Sequence, residues 1–233
     1  MSNSTAAQKL GNLFLQSNST ITPPSVNGNL YVLNGKLHEW SGKSVPVHAP
    51  IYYNGNSEQI TIGTQPMMES SDALNAVDSA AAAYKLGTGL WPQYGVRKRI
   101  ECVEQFVVGL KSKRNEIAKL LMWEICKTQP DAEKEVDRTI DYINATIAEL
   151  KRLENSFSSF VQTGGVVGHE RRAPLGVTLV MGPFNYPLNE TYTLLIPALI
   201  MGNTIVCWPQ TQCNTQQKCT NTLCFIYITY THR

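Results

Sequence analysis

The residues best placed to do chemistry lie between Met181 and Tyr186. An apolar run, Gly176–Met181, breaks there at Gly182-Pro183, and Asn185 stands where the chain hands over to a helical stretch. A side-chain amide at the end of a buried strand can point into the crevice above a sheet and donate to an oxygen that gains negative charge. Losing one such donor typically costs ~3–4 kcal/mol of transition-state stabilisation. Asparagine is also a favoured helix N-cap, and the two roles are compatible. Gly182 and Pro183 taken alone describe a tight turn. The cysteines do not suggest a metal. Cys102, Cys126 and Cys207 are scattered singly, and the spacing of Cys213, Cys219 and Cys224 is not that of paired zinc ligands.

The elements that must position this turn can be read from periodicity. Residues 1–28 form a polar arm. Residues 29–155 hold strands and helices. Asn34-Gly35 between Leu30–Leu33 and Lys36–Trp40 predicts a hairpin, and Val45–Tyr53 with Gln59–Gly63 a second strand pair around Asn54-Gly55-Asn56. Helices are expected over Ser70–Leu86, Tyr94–Leu110, Asn115–Cys126 and Pro130–Leu153, the last with Val136, Ile140, Ile143, Ile147 and Leu150 on one stripe. Within residues 156–173, Phe157–Val167 reads as an outward hairpin across Gly164-Gly165. Residues 174–209 read as a βαβ unit: Gly176–Met181 as a strand buried on both faces, a helix from about Asn185 to Met201, then Thr204–Cys207. The fold class is α/β, the start of a Rossmann-like parallel-sheet domain. Ligands of such sheets sit at the carboxyl ends of the strands. Residues 210–233 break the pattern: they contain no Gly, Asp or Glu, and carry an apolar burst at Leu223–Tyr230.

Composition narrows the classes further. The content of 42% hydrophobic and 16% charged residues suits a globular core, and a net charge of +2 argues against nucleic acid or an anionic membrane as partner. Thr193–Met201, interrupted by Pro197, is far short of the roughly 20 apolar residues a bilayer needs. The polar start, Met1–Pro24, lacks the basic and apolar regions of a signal peptide, so a cytoplasmic protein is expected and the sequons at Asn3, Asn18, Asn144 and Asn189 are read as chance matches.

The stretch Pro174-Leu-Gly-Val-Thr-Leu-Val-Met-Gly-Pro-Phe-Asn-Tyr-Pro, with Ile196-Pro-Ala-Leu-Ile-Met-Gly-Asn, resembles the aldehyde dehydrogenase superfamily. The resemblance implies NAD(P)-dependent oxidation of an aldehyde to an acid, with Asn185 as oxyanion donor. It also implies that Met181, Gly182, Pro183 and Phe184 run along the nicotinamide of NADP or NAD, and that the protein forms homo-oligomers through the 156–173 hairpin. Phe-Asn-Tyr-Pro together with Glu135-Val-Asp-Arg-Thr resembles the non-phosphorylating glyceraldehyde-3-phosphate dehydrogenase branch. That branch implies that Arg138 and Tyr186 bind a substrate phosphate. A guanidinium suits a phosphate because its donors match the oxygens in pairs. On residue type alone, Arg138 equally suits a solvated helix charge paired with Glu135 or Asp141.

The chain departs from the family where the strand should end in Lys-Pro: Trp208 precedes Pro209, and indole cannot hold a ribose as lysine does. The pyrophosphate turn, the Glu base and the Cys nucleophile are not found, so the chain is expected to stop before the catalytic domain and to be inactive. A non-catalytic interaction fragment and a general or semialdehyde dehydrogenase are the alternatives.

Overall fold

The computed structural model describes residues 23–52, 59–157, 159–169 and 171–207. Two antiparallel pairs open the fold: β1 (Leu30–Leu33) with β2 (Lys36–Glu39), and β3 (Ser44–Tyr52) with β4 (Gln59–Pro66). Asn34 and Gly35 take the positive φ values, 53° and 67°, that a two-residue hairpin turn requires. The expected turn at Asn54-Gly55-Asn56 lies outside the described residues. Val47, Ala49 and Ile62 close a small core against Trp123.

Five helices follow: α1 (Ser70–Tyr84), a short α2 (Leu90–Gln93), α3 (Val96–Ser112), α4 (Arg114–Ile125) and α5 (Gln129–Phe157). The helix expected from Tyr94 starts instead at Val96, because Tyr94 and Gly95 are extended and close α2. Val136, Ile140, Ile143, Ile147 and Leu150 are all buried, so the stripe on α5 faces the main core. The hairpin pairs β5 (Val161–Thr163) with β6 (Val166–Gly168) across Gly164-Gly165, and every residue of both strands is exposed.

The βαβ unit is β7 (Val177–Val180), α6 (Pro187–Ile200) and β8 (Thr204–Cys207), with the strands parallel and Val177 level with Thr204. The burial expected on both faces of the first strand is not found. β7 is buried on one face only, with Val180 at 1% exposure but Leu179 at 58%. α1, which contributes Ala80, and α6 cover the inner face, and Val177 and Leu179 lie on the other. Trp208, Pro209 and the tail 210–233, with its cysteines, lie outside the described residues. No helix among those described is long and apolar enough to cross a membrane.

Arg114 fastens α4 to α5 through a two-pronged bond to Asp137, Nε to Oδ1 at 2.6 Å and Nη2 to Oδ2 at 2.7 Å. That hydrogen bond, opposed by partial burial, holds the Asp137 carboxyl below the ordinary aspartate range. A depressed carboxylate contributes stability that is present above its unfolded pKa and lost as pH falls through its folded one. Between about pH 5 and pH 3, urea melts should therefore show the wild-type chain losing stability more steeply than Asp137→Asn. Parallel curves would show that the pair is silent.

Candidate functional site

Helix α6 starts directly after the turn that carries Asn185, and its first peptide groups have to be satisfied by something other than the helix itself. Pro187 at the first helical position has no N–H to satisfy. The next two donors, Leu188 N and Asn189 N, both bond Oε1 of Glu135, at 3.0 and 3.1 Å. Glu190 N then begins the regular ladder to Tyr186 O at 3.1 Å. Every donor of the first helical turn is thus accounted for. The capping carboxylate comes from α5 and its side chain is fully buried. Its other oxygen pairs with Lys127 Nζ.

The same interface continues along α5. The hydroxyl of Thr139, four residues on, donates to Glu135 O and stands 3.5 Å from Asn189 Oδ1. Tyr142 donates its hydroxyl to Thr193 O at 3.2 Å. Pro197 lies inside α6 and cannot bond the carbonyl four residues back, which is that of Thr193. Tyr142 fills the resulting gap. Asn189 is buried in this seam, where no glycan could reach it.

The far end of α6 is closed by side chains as well. Trp91 Nε1 bonds Leu199 O at 2.9 Å, and Arg99 Nε bonds Ile200 O at 2.7 Å. Arg99 also donates to the carbonyls of Pro92 and Tyr94. Burial draws its guanidinium below the ordinary arginine value, with Glu154 acting in the opposite sense. Asn203 donates to Ala198 O at 2.8 Å and accepts from Leu175 N and Gly176 N at 2.6 and 2.9 Å. The two motif segments flanking α6 are therefore direct hydrogen-bond partners across β7 and β8.

The turn itself, residues 181–186, lies beyond the carboxyl end of β7. Gly182 is buried against α6, where an added Cβ would collide with the Thr191 hydroxyl and lie 3.0 Å from its Cβ. Glycine is required there for close approach to the helix. Met181 and Phe184 are each 45% exposed, which leaves this stretch open on the crevice side. Asn185 is exposed and its amide has no protein partner among the described residues. It is not the N-cap. That position belongs to Tyr186, whose side chain makes no capping bond. The Tyr186 ring lies under the Lys127 ammonium, which is 3.7 Å from the ring centroid.

Arg138 is exposed and forms no ion pair among the described residues. Of the two partners expected for it, Glu135 is committed to Lys127 and α6, and Asp141 makes no ion pair with it. Arg138 lies about 60° around α5 from Glu135, on the border of the α5–α6 seam. The structure therefore brings Asn185, Tyr186 and Glu135 together at the start of α6, while Arg138 lies one turn further along α5 with no ion pair among the described residues. Sequence reasoning missed Glu135 and Lys127 as site residues. The one available signal was a charged residue, Glu135, directly beside the apolar stripe of α5.

The aldehyde dehydrogenase family pattern matches residues 42–220. The NADP-dependent glyceraldehyde-3-phosphate dehydrogenase of Pisum sativum is 36% identical over 151 residues, which is 61% of this chain and 29% of the relative. The lactaldehyde dehydrogenase of Escherichia coli (strain K12) is 29% identical over 181 residues, 71% of this chain and 37% of the relative. The chain thus spans about a third of the length of these curated relatives. A crystal structure of NADP-dependent glyceraldehyde-3-phosphate dehydrogenase from Bacillus halodurans C-125, complexed with NADP, superposes with a TM-score of 0.71 at 25% identity, covering 89% of this chain and 42% of that one.

The buried cap gives a quantitative test. Glu135→Ala strands two amides and a lysine, and should cost about 3–5 kcal/mol in urea unfolding. Glu135→Gln keeps an acceptor for the amides and should cost less than half of that. A loss below about 1 kcal/mol for Glu135→Ala would show that the cap does not hold α6.

Proposed function

The chain belongs to the aldehyde dehydrogenase family, and from that premise we propose that it forms part of an enzyme oxidising glyceraldehyde 3-phosphate to 3-phosphoglycerate with NADP or NAD, in the cytoplasm. The observation that carries this reading is the amide of Asn185, unpartnered among the described residues, on a turn beyond β7 that is anchored by a buried carboxylate. When an aldehyde carbonyl is attacked by a thiolate, its oxygen gains negative charge, and a fixed amide N–H stabilises that charge without reorganising. Bound nicotinamide would accept the hydride. The backbone of Met181, Gly182, Pro183 and Phe184 would lie along it, an assignment supported by the half-exposed Met181 and Phe184.

The substrate phosphate would be met by Arg138 and Tyr186. Arg138 favours this because it is an exposed guanidinium with no ion pair among the described residues, one helical turn from the Glu135 that caps the helix following Tyr186. The exposed hairpin β5–β6, with Phe160, Val161, Val166 and Val167 each at least 60% exposed, supports homo-oligomerisation through that element. Residues 1–233 on their own should not turn over aldehyde, since Asn185 is the one member of the catalytic set identified in them. The open face at Val177 and Leu179 favours a second reading, association of the isolated chain with a partner. NADP reduction by the isolated chain above background would overturn the expectation of inactivity.

The substrate reading is tested in an active polypeptide containing this chain. Arg138→Ala should raise KM for glyceraldehyde 3-phosphate by about tenfold or more, the weight of a charge-assisted hydrogen bond, and leave an unphosphorylated aldehyde unchanged. Asn185→Ala should instead lower kcat about 100- to 1,000-fold for both. Equal KM effects on the two substrates would make Arg138 a solvated helix charge.

A further inference from the structure

Lys127 does more than neutralise Glu135. It is nearly buried, with 14% of its side chain exposed, and it ends with one ammonium serving two groups, the Glu135 carboxylate and the face of the Tyr186 ring. The ring is attached one residue after Asn185, at a backbone position whose φ and ψ, −137° and 60°, belong to no regular element, and it is 40% exposed. With neither helix nor strand to fix the side chain, the ammonium 3.7 Å from the centroid becomes its restraint. An ammonium on the face of an aromatic ring is attracted to the negative end of the ring quadrupole, and the attraction grows when the pair is desolvated.

Resting on the substrate reading above, we propose that Lys127 is a positioning residue: anchored by Glu135, it holds the Tyr186 ring in a single orientation and so sets the preference for an aldehyde with an anionic far end. Its charge is balanced by Glu135, so it adds little field of its own at the ligand. What it contributes is geometry. One ring face is taken by the ammonium, and the rest of the ring and its hydroxyl are left for ligand. Glu135 joins this restraint to the start of α6, so ring and oxyanion donor are set by one buried pair.

The test uses Lys127→Met, Lys127→Arg and the double variant Lys127→Met/Glu135→Gln, which leaves no unpaired buried carboxylate and so guards against misfolding. In NMR spectra of residues 1–233, the wild-type chain and Lys127→Arg should show one Tyr186 rotamer, with the residue 127 side chain close to the ring. The two Met variants should show rotamer averaging while the Leu188 and Asn189 amides stay protected from exchange. In an active polypeptide containing the chain, the Met variants should raise KM for glyceraldehyde 3-phosphate about fivefold more than KM for an unphosphorylated aldehyde, and Lys127→Arg should restore most of that preference. An unchanged Tyr186 rotamer in the double variant overturns the proposal. So does loss of amide protection together with the ring, which would reduce Lys127 to part of the helix cap. Should the wild-type enzyme show no preference for the phosphorylated aldehyde, the substrate reading fails, while the ring data still decide whether Lys127 positions Tyr186.

Discussion

A carboxylate removed from water costs several kcal/mol unless donors surround it, and buried Glu135 has three: Leu188 N, Asn189 N and Lys127 Nζ. Two of these are the free amides of a helix N-terminus, where the macrodipole favours negative charge. The arrangement lets α5 specify where α6 begins, and hence where the turn carrying Asn185 must end. It also settles a question of ligand chemistry. The helix after the first strand of a βαβ unit is a natural anion site, but here the protein's own carboxylate holds the Leu188 and Asn189 amides. A cofactor phosphate has no such donors left to bind at this helix.

The rest of α6 is held in the same way, by replacing each missing ladder bond with a side chain from a neighbour. Tyr142 serves the carbonyl freed by Pro197, and Trp91, Arg99 and Asn203 serve those at the C-terminus. The buried charges at the two ends, carboxylate at the N-terminus and guanidinium at the C-terminus, both have the sign the dipole favours. Asn203 reaches from the end of α6 to the amides that open β7, so a polar side chain closes the βαβ unit where the two strands begin.

Much of this was legible in the sequence, because hydrophobic periodicity and turn chemistry are local. The stripe from Val136 to Leu150, the Asn34-Gly35 hairpin and the break at Gly182-Pro183 depend on residues near one another, and all three stand in the structure. Glu135 was misread for the opposite reason. A glutamate three residues before an arginine on a helix looks like one half of a surface pair, and the amides it actually serves lie 53 and 54 residues further on, with no residue type to mark them. Asn185 was a reasonable N-cap by type, yet the cap position falls one residue later, at Tyr186, because Pro187 defines where the helix starts. The apolar run of β7 suggested burial on both faces, but apolar composition cannot say what covers a strand, and Leu179 is exposed among the described residues.

The site thus combines a rigid base with groups that have no internal partner among the described residues. Donors aimed at a developing charge are effective only when they are already in place and not bonded to the protein. In the proposed role, Asn185 meets the second condition by having no partner among the described residues, and it approaches the first because the turn is gripped on both sides. Behind it, β7 is fixed by Asn203, and Gly182 lies against Thr191 with no room for a side chain. Ahead of it, Pro187 restricts the backbone and Glu135 holds the next two amides. An asparagine between two such anchors has little backbone freedom left, and most of what remains lies in its own χ angles. The stability locked into α6 would therefore serve the proposed chemistry indirectly, by leaving the amide without the alternative backbone states in which it would face elsewhere.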